Sequence, residues 1–402
     1  MQALVHAENY LRDKLKSKES LYQLTIEINH AQEGQTTAFI TLRDTKNARA
    51  GQIYVEKALH SGLQKTVLLT DKQVKNCAII HAATFTDDHS QTLLPLLSYF
   101  ALRQARIWQC HNIIALNQEN KLLRLAPLAY LPRIFAQQLS YSIYQAYEAC
   151  DETERAFIQT YFIYEILDTF KLWVTNLFQD SWFSSIKTRS ISKEQYVSTL
   201  YNLHAFVKHT TRLAARCVAF CESRELRNHY IHHLKGEINH EVIIESDLKA
   251  LHADVDYLLQ ANVAHPATEA FMVLQESITG FKQDAVLMMA CPFIAEGMTA
   301  NISSQFVDDL HATIKTWGIK SPESVSRFLT SHMKTDGGDD GHWVRVIMMM
   351  DKFIKTENQL QQFLNTLQLA MSSYARGLNA NIDDMELWRL QQSHAILEKS
   401  TI

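Results

Sequence analysis

The sequence predicts a two-domain α+β protein, with an α/β unit over residues 1–150 and an all-α bundle over residues 151–402. Two observations predict this division. In the first part, short runs rich in β-branched and apolar residues alternate with helical segments. After residue 150, apolar residues recur at the i, i+3, i+4 spacing of amphipathic helices, and strand-like runs cease.

The composition is that of a globular protein with full cores. The chain has 402 residues, is 47% apolar and has a net charge of −4, which leaves room for two or three domains. This balance offers no basic surface for nucleic acid and no polybasic arm for a membrane. The amino terminus lacks an apolar signal region and the six cysteines form no C-x-x-C pair, so we expect a cytoplasmic protein with reduced thiols.

The α/β unit is predicted from strand-length runs and two helical segments. The last helix should end before Pro132, because the residue that precedes a proline disfavours helical geometry. The predicted strands are 23–28, 37–42, 52–55, 66–69, 76–85 and 112–117, and the predicted helices are 91–108 and 121–130.

The all-α part is predicted to be a bundle of about seven helices. Its breaks fall at prolines and glycines, which end helices. The predicted helical segments are 152–180, 193–233, 237–259, 266–289, 295–317, 322–354 and 357–393.

Glycine is scarce, and its distribution excludes two large classes of nucleotide-binding enzyme. The chain has 11 glycines, and none lies between Leu63 and Lys235. Phosphate-binding loops of the Walker and Rossmann kinds need several glycines close together, because the backbone must approach the phosphates. A phosphate-binding loop is therefore not the functional element that the sequence predicts. The candidate functional side chains lie within residues 232–342.

Three segments in this region combine acidic and imidazole side chains. His233, Glu237 and His240 are spaced i, i+4 and i+7, which predicts one face of one helix. Glu296 lies inside an otherwise apolar helix, and residues 332–342 contain two histidines and three aspartates. Each segment alone is compatible with a solvated helix face or an acidic turn. Together they predict a carboxylate and imidazole metal site of the kind that helical bundles provide for iron or manganese.

The segment HHLKGEINHEVIIESDLKAL resembles the first metal-ligand helix of the haem-oxygenase-like non-haem diiron oxidases and oxygenases, whose fold is shared with TenA-type and PqqC-type proteins. The resemblance extends from residue 152 to the C-terminus. It implies a seven-helix haem-oxygenase-like bundle, two irons per chain with manganese as an alternative, and O₂ as co-substrate. It also implies the catalytic metal ligands Glu237, His240, Glu296, His332, Asp336 and His342.

The last ligand departs from the family pattern. The family's final histidine follows the aspartate by three or four residues, where this chain has Asp339 and Asp340. On an unbroken helix His342 would lie roughly 80° from His332 around the axis. A bulge at Gly337-Gly338 would bring His342 into place. Otherwise Asp339 or Asp340 substitutes, or the second metal site is damaged; we expect His342.

The N-terminal part resembles the core of GNAT-type acyltransferases over the strand 76–85, the helix 91–108 and the strand 112–117. In those enzymes a glycine-containing loop before the helix holds the pyrophosphate of coenzyme A. Here the loop reads Thr86-Asp87-Asp88-His89-Ser90-Gln91, without glycine and with two acidic residues that would repel pyrophosphate. We therefore expect a degenerate GNAT-like domain without acyl transfer.

The resemblance to the diiron proteins implies an O₂-dependent oxidase or oxygenase of specialised metabolism. Its partner would be a small molecule such as an amino acid, a fatty acid or a related metabolite. Neither nucleic acid nor a membrane is expected, and a homodimer is compatible with the sequence. One alternative is a metal-independent TenA-like enzyme with Cys291 or Cys217 as nucleophile. Another is a non-catalytic two-domain interaction protein.

Overall fold

The structure, a computed structural model, describes residues 2–16, 22–30, 36–43, 49–57, 77–81, 83–85, 93–110, 112–116, 122–125, 142–256, 264–337 and 341–384. Its contacts divide the chain into two compact units. The mixed unit contains the described residues within 12–169 and 356–361, and the helical unit those within 1–11, 170–355 and 362–402. The domain boundary expected after residue 150 stays a prediction.

The mixed unit is built on one sheet. Its strands are β1 (Gln23–His30), β2 (Thr36–Arg43), β3 (Arg49–Lys57), β4 (Cys77–Ile80), β5 (Thr84–Phe85), β6 (Asn112–Leu116) and β7 (Leu122–Leu125). The pairing order is β1-β2-β3-β4-β6-β7, with β5 also paired with β3. Every pair is antiparallel except β4 with β6, which are parallel.

The parallel pair requires a crossover, because its two strands run in the same direction. The helix α2 (Leu94–Ile107) lies between β4 and β6 in the chain and packs against β2 and β3. In β2, Ala38, Ile40 and Leu42 are fully buried, as alternation on a covered sheet face requires. A strand–helix–strand unit is therefore present where the sequence predicted one. Residues 86–92, which include the loop compared with acyltransferases, lie outside the described residues.

The helix predicted over residues 121–130 is wrong at its beginning. Residues 122–125 form β7, which pairs antiparallel with β6. The sequence Leu-Leu-x-Leu fits both a helical and a strand period, and backbone pairing with β6 selects the strand. Residues 126–141 and the strand predicted at 66–69 lie outside the described residues.

The sequence order of a sheet-containing part followed by helices is confirmed among the described residues. Among the described residues, five of the seven predicted helical segments contain two or more shorter elements, separated at polar caps and turns; for example, Ser223 Oγ accepts a hydrogen bond from Leu226 N at the start of the helix Arg224–Glu237. The segment predicted at 357–393, in contrast, begins with one continuous helix, Glu357–Asp383. The helices are α1 (Gln2–Lys16), α3 (Glu152–Gln159), α4 (Phe162–Leu177), α5 (Ser181–Lys187), α6 (Lys193–Val207), α7 (Thr210–Phe220), α8 (Arg224–Glu237), α9 (His240–Ala250), α10 (Pro266–Glu276), a π-helix (Ser277–Lys282), α11 (Ala285–Met288), α12 (Ala290–Ala300), α13 (Ser304–Thr316), a 3₁₀ turn (Pro322–Val325), α14 (Arg327–Asp336), α15 (His342–Phe353) and α16 (Glu357–Asp383).

An aromatic core fixes the start of α15 against α12. Trp343 is fully buried, and its ring centroid lies 5.2 Å from that of Phe170 and 5.6 Å from that of Phe293. Its indole Nε1 donates a hydrogen bond of 2.9 Å to Phe293 O. Because Trp343 directly follows His342 in the chain, this packing sets the position of His342.

No single helix among the described residues is both long and apolar enough to cross a membrane. One bent pair, residues 285–300 and 304–316, meets the criteria of length and composition when its two helices are taken together.

Candidate metal centre

The first ligand segment is not one helix. The helix α8 ends at Glu237 and α9 begins at His240, with Asn239 at a φ of 67° between them. The prediction that His233, Glu237 and His240 lie on one helix is therefore wrong. Asparagine tolerates the left-handed conformation better than most residues, so the chain turns there. Glu237 and His240 remain neighbours across the turn, with Glu237 Oε2 3.3 Å from His240 Nδ1.

Four side chains from three helices converge on one point. His233, Glu237, Glu296 and His342 each offer one ligand atom, and these four atoms lie within 4.8 Å of one another. Three of them are predicted ligands, and His233 is an addition. Two imidazoles and two carboxylates form a ligand set suited to Fe(II) or Mn(II). We call these four residues the ligand cluster.

A second group of imidazoles lies beside the ligand cluster. His332 Nε2 is 3.1 Å from His240 Nδ1, and His332 Nδ1 is 2.7 Å from the carbonyl oxygen of Phe328. If Nδ1 donates to that carbonyl, Nε2 keeps a lone pair toward His240, as in metal-ligating histidines. Glu237 belongs to the ligand cluster and also contacts His240, so it stands between the two groups.

Asp336, the last predicted ligand of α14, is buried at the edge of the ligand cluster. Its Oδ2 accepts a hydrogen bond of 2.6 Å from Thr299 Oγ1, and its Oδ1 lies 3.6 Å from His342 Nδ1. The helix ends at Asp336 and α15 begins at His342, so the two side chains meet across a helix break instead of along a continuous helix. Residues 338–340, with the alternates Asp339 and Asp340, lie outside the described residues.

The buried carboxylates have unused oxygens. Within the described chain, neither Oε2 of Glu296 nor Oδ1 of Asp336 has a hydrogen-bond partner, although both residues are at most 5% exposed, and Oε1 of Glu296 faces His233 Nδ1 at 3.2 Å. Burying an acceptor without a partner is costly, and bound cations are one way in which proteins compensate for it. The residues present therefore fit a cation that is held by carboxylates and imidazoles.

The charges in the site depend strongly on one another. Burial opposes protonation of His233, but the carboxylate of Glu296 at 3.2 Å and the charge of Glu237 outweigh it and raise the pKa of His233 to about 9. Burial would raise the pKa of Glu237, but the imidazoles of His240 and His233 lower it to about 2. Burial and the charge of Glu296 raise the pKa of Asp336.

The pKa values of His332 and His342 shift in the opposite direction from that of His233. Burial and the neighbouring His240 lower the pKa of His332 to about 4. The same effect of burial lowers the pKa of His342. Both imidazoles are therefore mainly neutral near pH 7, which is the form that binds metals.

A cavity of about 80 Å³ opens beside the ligand cluster. Its wall includes Glu237, Glu296, His332 and Asp336 at the polar side. The remaining wall is mainly apolar, with side chains such as Leu203, Phe206, Val207, Leu213 and Met288. The site thus combines a polar cluster with a sheltered apolar space, the usual composition of a small-molecule site.

The two cysteines considered as nucleophiles are buried. Cys291 lines the cavity, and burial together with the neighbouring Cys217 raises the pKa of its thiol. Burial raises the pKa of Cys217 to about 12. A thiol is nucleophilic as the thiolate, so neither cysteine is activated in this environment.

Sequence reasoning missed two residues of the site. The sequence places His233 near Glu237 but does not mark it as a ligand; its spacing of four residues before Glu237 is the signal that identifies it. Thr299, three residues after Glu296, gives no signal, because buried threonines of helices commonly bond to their own backbone.

Comparisons with known proteins show distant structural likenesses. No family model matches the chain, and no curated protein matches it. One similar structure is a domain of unknown function with a haem oxygenase-like fold from Shewanella denitrificans OS217. It is 16% identical to this chain with a TM-score of 0.49, and the alignment covers 56% of this chain and 94% of that one. A TenA homologue from Pseudomonas syringae pv. tomato DC3000 is 12% identical to this chain with a TM-score of 0.41. That alignment covers 52% of this chain and 88% of the homologue. The function of the site is therefore argued from its own side chains.

Proposed function

We propose that the protein is a non-haem, O₂-dependent oxidase or oxygenase that holds two irons, or manganese in their place, and oxidises a small molecule. One observation carries the proposal: four ligand atoms from His233, Glu237, Glu296 and His342 lie within 4.8 Å of one another beside a largely apolar cavity. The sequence resemblance to diiron oxidases, noted on the same residues, agrees with it.

The chain's own residues define two adjoining positions. The ligand cluster, with Asp336 at its edge, forms one, and His240 with His332 would contribute to the other, with Glu237 between them. Iron bound by such mixed carboxylate and imidazole ligands supplies activation of O₂. The Phe328 carbonyl orients His332, and the Thr299 hydroxyl orients Asp336.

The surroundings of the site separate it from bulk water. Glu237, Glu296 and Asp336 are all buried, and apolar side chains form most of the cavity wall. An apolar wall limits the access of water to a bound substrate and its reactive products. The raised thiol pKa values of Cys291 and Cys217 disfavour the metal-independent thiol mechanism.

For the mixed unit we propose a degenerate acyltransferase fold without acyl transfer. The parallel pair β4 and β6, connected through α2, supports this proposal. A strand–helix–strand unit of this kind occurs in many folds, so calorimetry with coenzyme A tests the assignment directly. We expect no binding.

The proposed oxidase function is tested by exposure of the anaerobic, Fe(II)-loaded chain to O₂ in a stopped-flow spectrometer. We expect an O₂-dependent absorption change and consumption of O₂. Glu296→Ala should abolish both, whereas Glu276→Ala, which removes an acidic residue from an exposed pair with Arg216, should abolish neither. Loss of the signal in both variants, or its absence from the wild type, would overturn the proposal.

A further inference from the structure

The cavity contains a polar group that the metal centre does not use. Gln275 of α10 lines the cavity and is only 2% exposed. Within the described residues its carboxamide oxygen Oε1 has no hydrogen-bond partner. Its carboxamide also interacts with the thiol of Cys291, which lines the same cavity.

An orphaned acceptor in the cavity wall points to a ligand with a donor. A buried carbonyl-type oxygen without a partner loses the hydrogen bonds that water would provide. A ligand hydroxyl or amide N–H placed against Oε1 would restore one of them. Such sites discriminate strongly against analogues that lack the matching group, because the buried polar atom then stays unpaired.

The wall also limits the size and charge of the ligand. A water molecule needs about 10–15 Å³ of such space, so a cavity of about 80 Å³ holds roughly five to eight water-sized groups. Leu203, Phe206, Val207 and Leu213 offer only apolar surface. Beside these apolar side chains a charged group would lose its hydration without gaining a partner, so a neutral ligand is favoured on this side of the cavity.

We propose that this cavity binds a neutral, largely apolar molecule of about five to eight non-hydrogen atoms that presents one hydroxyl or amide N–H to Gln275 Oε1. This inference rests on the proposed function for the role of the molecule as substrate. The binding step itself requires no metal, so the two can be tested separately.

The test compares two isomers that differ in their ability to donate a hydrogen bond. 1-Pentanol and butyl methyl ether have the same atoms, but only the alcohol donates. Calorimetry or ligand-observed NMR with the full-length chain, in its metal-free and Fe(II)-loaded anaerobic forms, gives both affinities. We expect 1-pentanol to bind roughly tenfold more tightly than the ether, and pentanoate to bind the metal-free chain more weakly than either.

A matched pair of variants assigns the preference to Gln275. Gln275→Leu keeps a side chain of similar size without the acceptor, and the tenfold preference should disappear. Gln362→Leu changes an exposed glutamine of α16 and should leave the tenfold preference for 1-pentanol unchanged.

The inference is overturned if the wild type binds the isomers equally, binds neither, or binds pentanoate best without metal. If the isomers are distinguished but iron does not bind, the proposed function fails and the ligand class stands. If iron binds but the two isomers bind equally, the proposed ligand class is refuted and the proposed function is not affected.

Discussion

The imidazole of His342 lies directly against Gly236. A Cβ at position 236 would stand 2.7 Å from Cε1 of His342, closer than Cβ atoms approach other groups. Gly236 precedes Glu237 near the end of α8, and His342 is the first residue of α15. The missing side chain at position 236 thus allows the two helices to bring Glu237 and His342 to the same site.

Replacement of Gly236 by alanine should displace His342 and lower the affinity for Fe(II) about tenfold or more. The fold should persist, because alanine favours helix more than glycine does. The measurements are anaerobic Fe(II) titration and thermal unfolding followed by circular dichroism. Gly280→Ala is the control, since nothing lies within 4 Å of its added Cβ. Equal Fe(II) affinity in both variants would contradict a role for this contact.

Thr299→Val should remove a hydrogen bond that positions Asp336 without creating a cavity, because the two side chains are of similar size. The substitution removes the hydroxyl that donates to Asp336 Oδ2 at 2.6 Å. Loss of such an outer hydrogen bond typically costs tenfold to a hundredfold in metal affinity. Thr313→Val provides the comparison, because Thr313 is also buried but donates to the backbone of Asp309. The measurement is the Fe(II) affinity of both variants. Similar affinities would contradict the role of the Thr299 hydroxyl in positioning Asp336 for metal binding.

Asp247 holds the start of α14, the helix that carries His332 and Asp336. Its Oδ2 accepts a hydrogen bond of 2.9 Å from Phe328 N, and burial raises the pKa of its carboxyl from 3.8 to about 6. The folded state therefore binds this proton more tightly than the unfolded state. The associated stability is fully present below pH 3.8 and is lost as the pH rises through 6.

Asp247→Asn should remove this pH dependence. The free energy of unfolding of the variant minus that of the wild type should therefore change with pH. This difference should increase by up to about 3 kcal/mol from pH 4 to pH 7. Urea denaturation of both proteins at a series of pH values measures the difference. Parallel pH curves for the two proteins would show that Asp247 does not titrate in this way.

The mixed unit contains a buried ionic network around Arg106. Its guanidinium donates to Glu165 and, at 2.7 Å, to Glu357, which also accepts a hydrogen bond of 2.8 Å from Tyr99. Glu165 is fully buried and Glu357 is 2% exposed. Removal of the arginine takes a cation away from Glu357 and leaves Glu165 with Arg103, whose Nε lies 3.2 Å from Glu165 Oε2.

Arg106→Met should therefore lower the free energy of unfolding by about 3–5 kcal/mol. The same change at Arg155, whose pair with Glu148 is largely exposed, should cost less than about 1 kcal/mol. Chemical denaturation of both variants measures the two costs. Similar losses at the two positions would show that the buried network gives no special stabilisation.

The alternation of sheet and helix could be read from residue periodicity, but exact element boundaries could not. Residues 122–125 form a strand because β6 offers a backbone to pair with, and no local pattern contains that information. The helical segment predicted at 193–233 contains three helices, α6, α7 and α8. Its apolar spacing continues across turns that are fixed by caps such as Ser223.

The same distinction applies to the candidate site. Residue type and spacing made Glu237 and Glu296 candidates, the family resemblance implied His342 as well, and the three lie together in the structure. The break at Asn239 could not be predicted, because a left-handed asparagine leaves the surrounding helical pattern intact. That break turns His240 toward His332 and leaves His233 in the ligand cluster.

The most direct test of the metal centre is an anaerobic titration of the metal-free chain with Fe(II), followed by Mössbauer spectroscopy. The account predicts two irons per chain with carboxylate and imidazole ligands, and weakened binding in Glu296→Ala. No stoichiometric iron binding by the wild-type chain would contradict it.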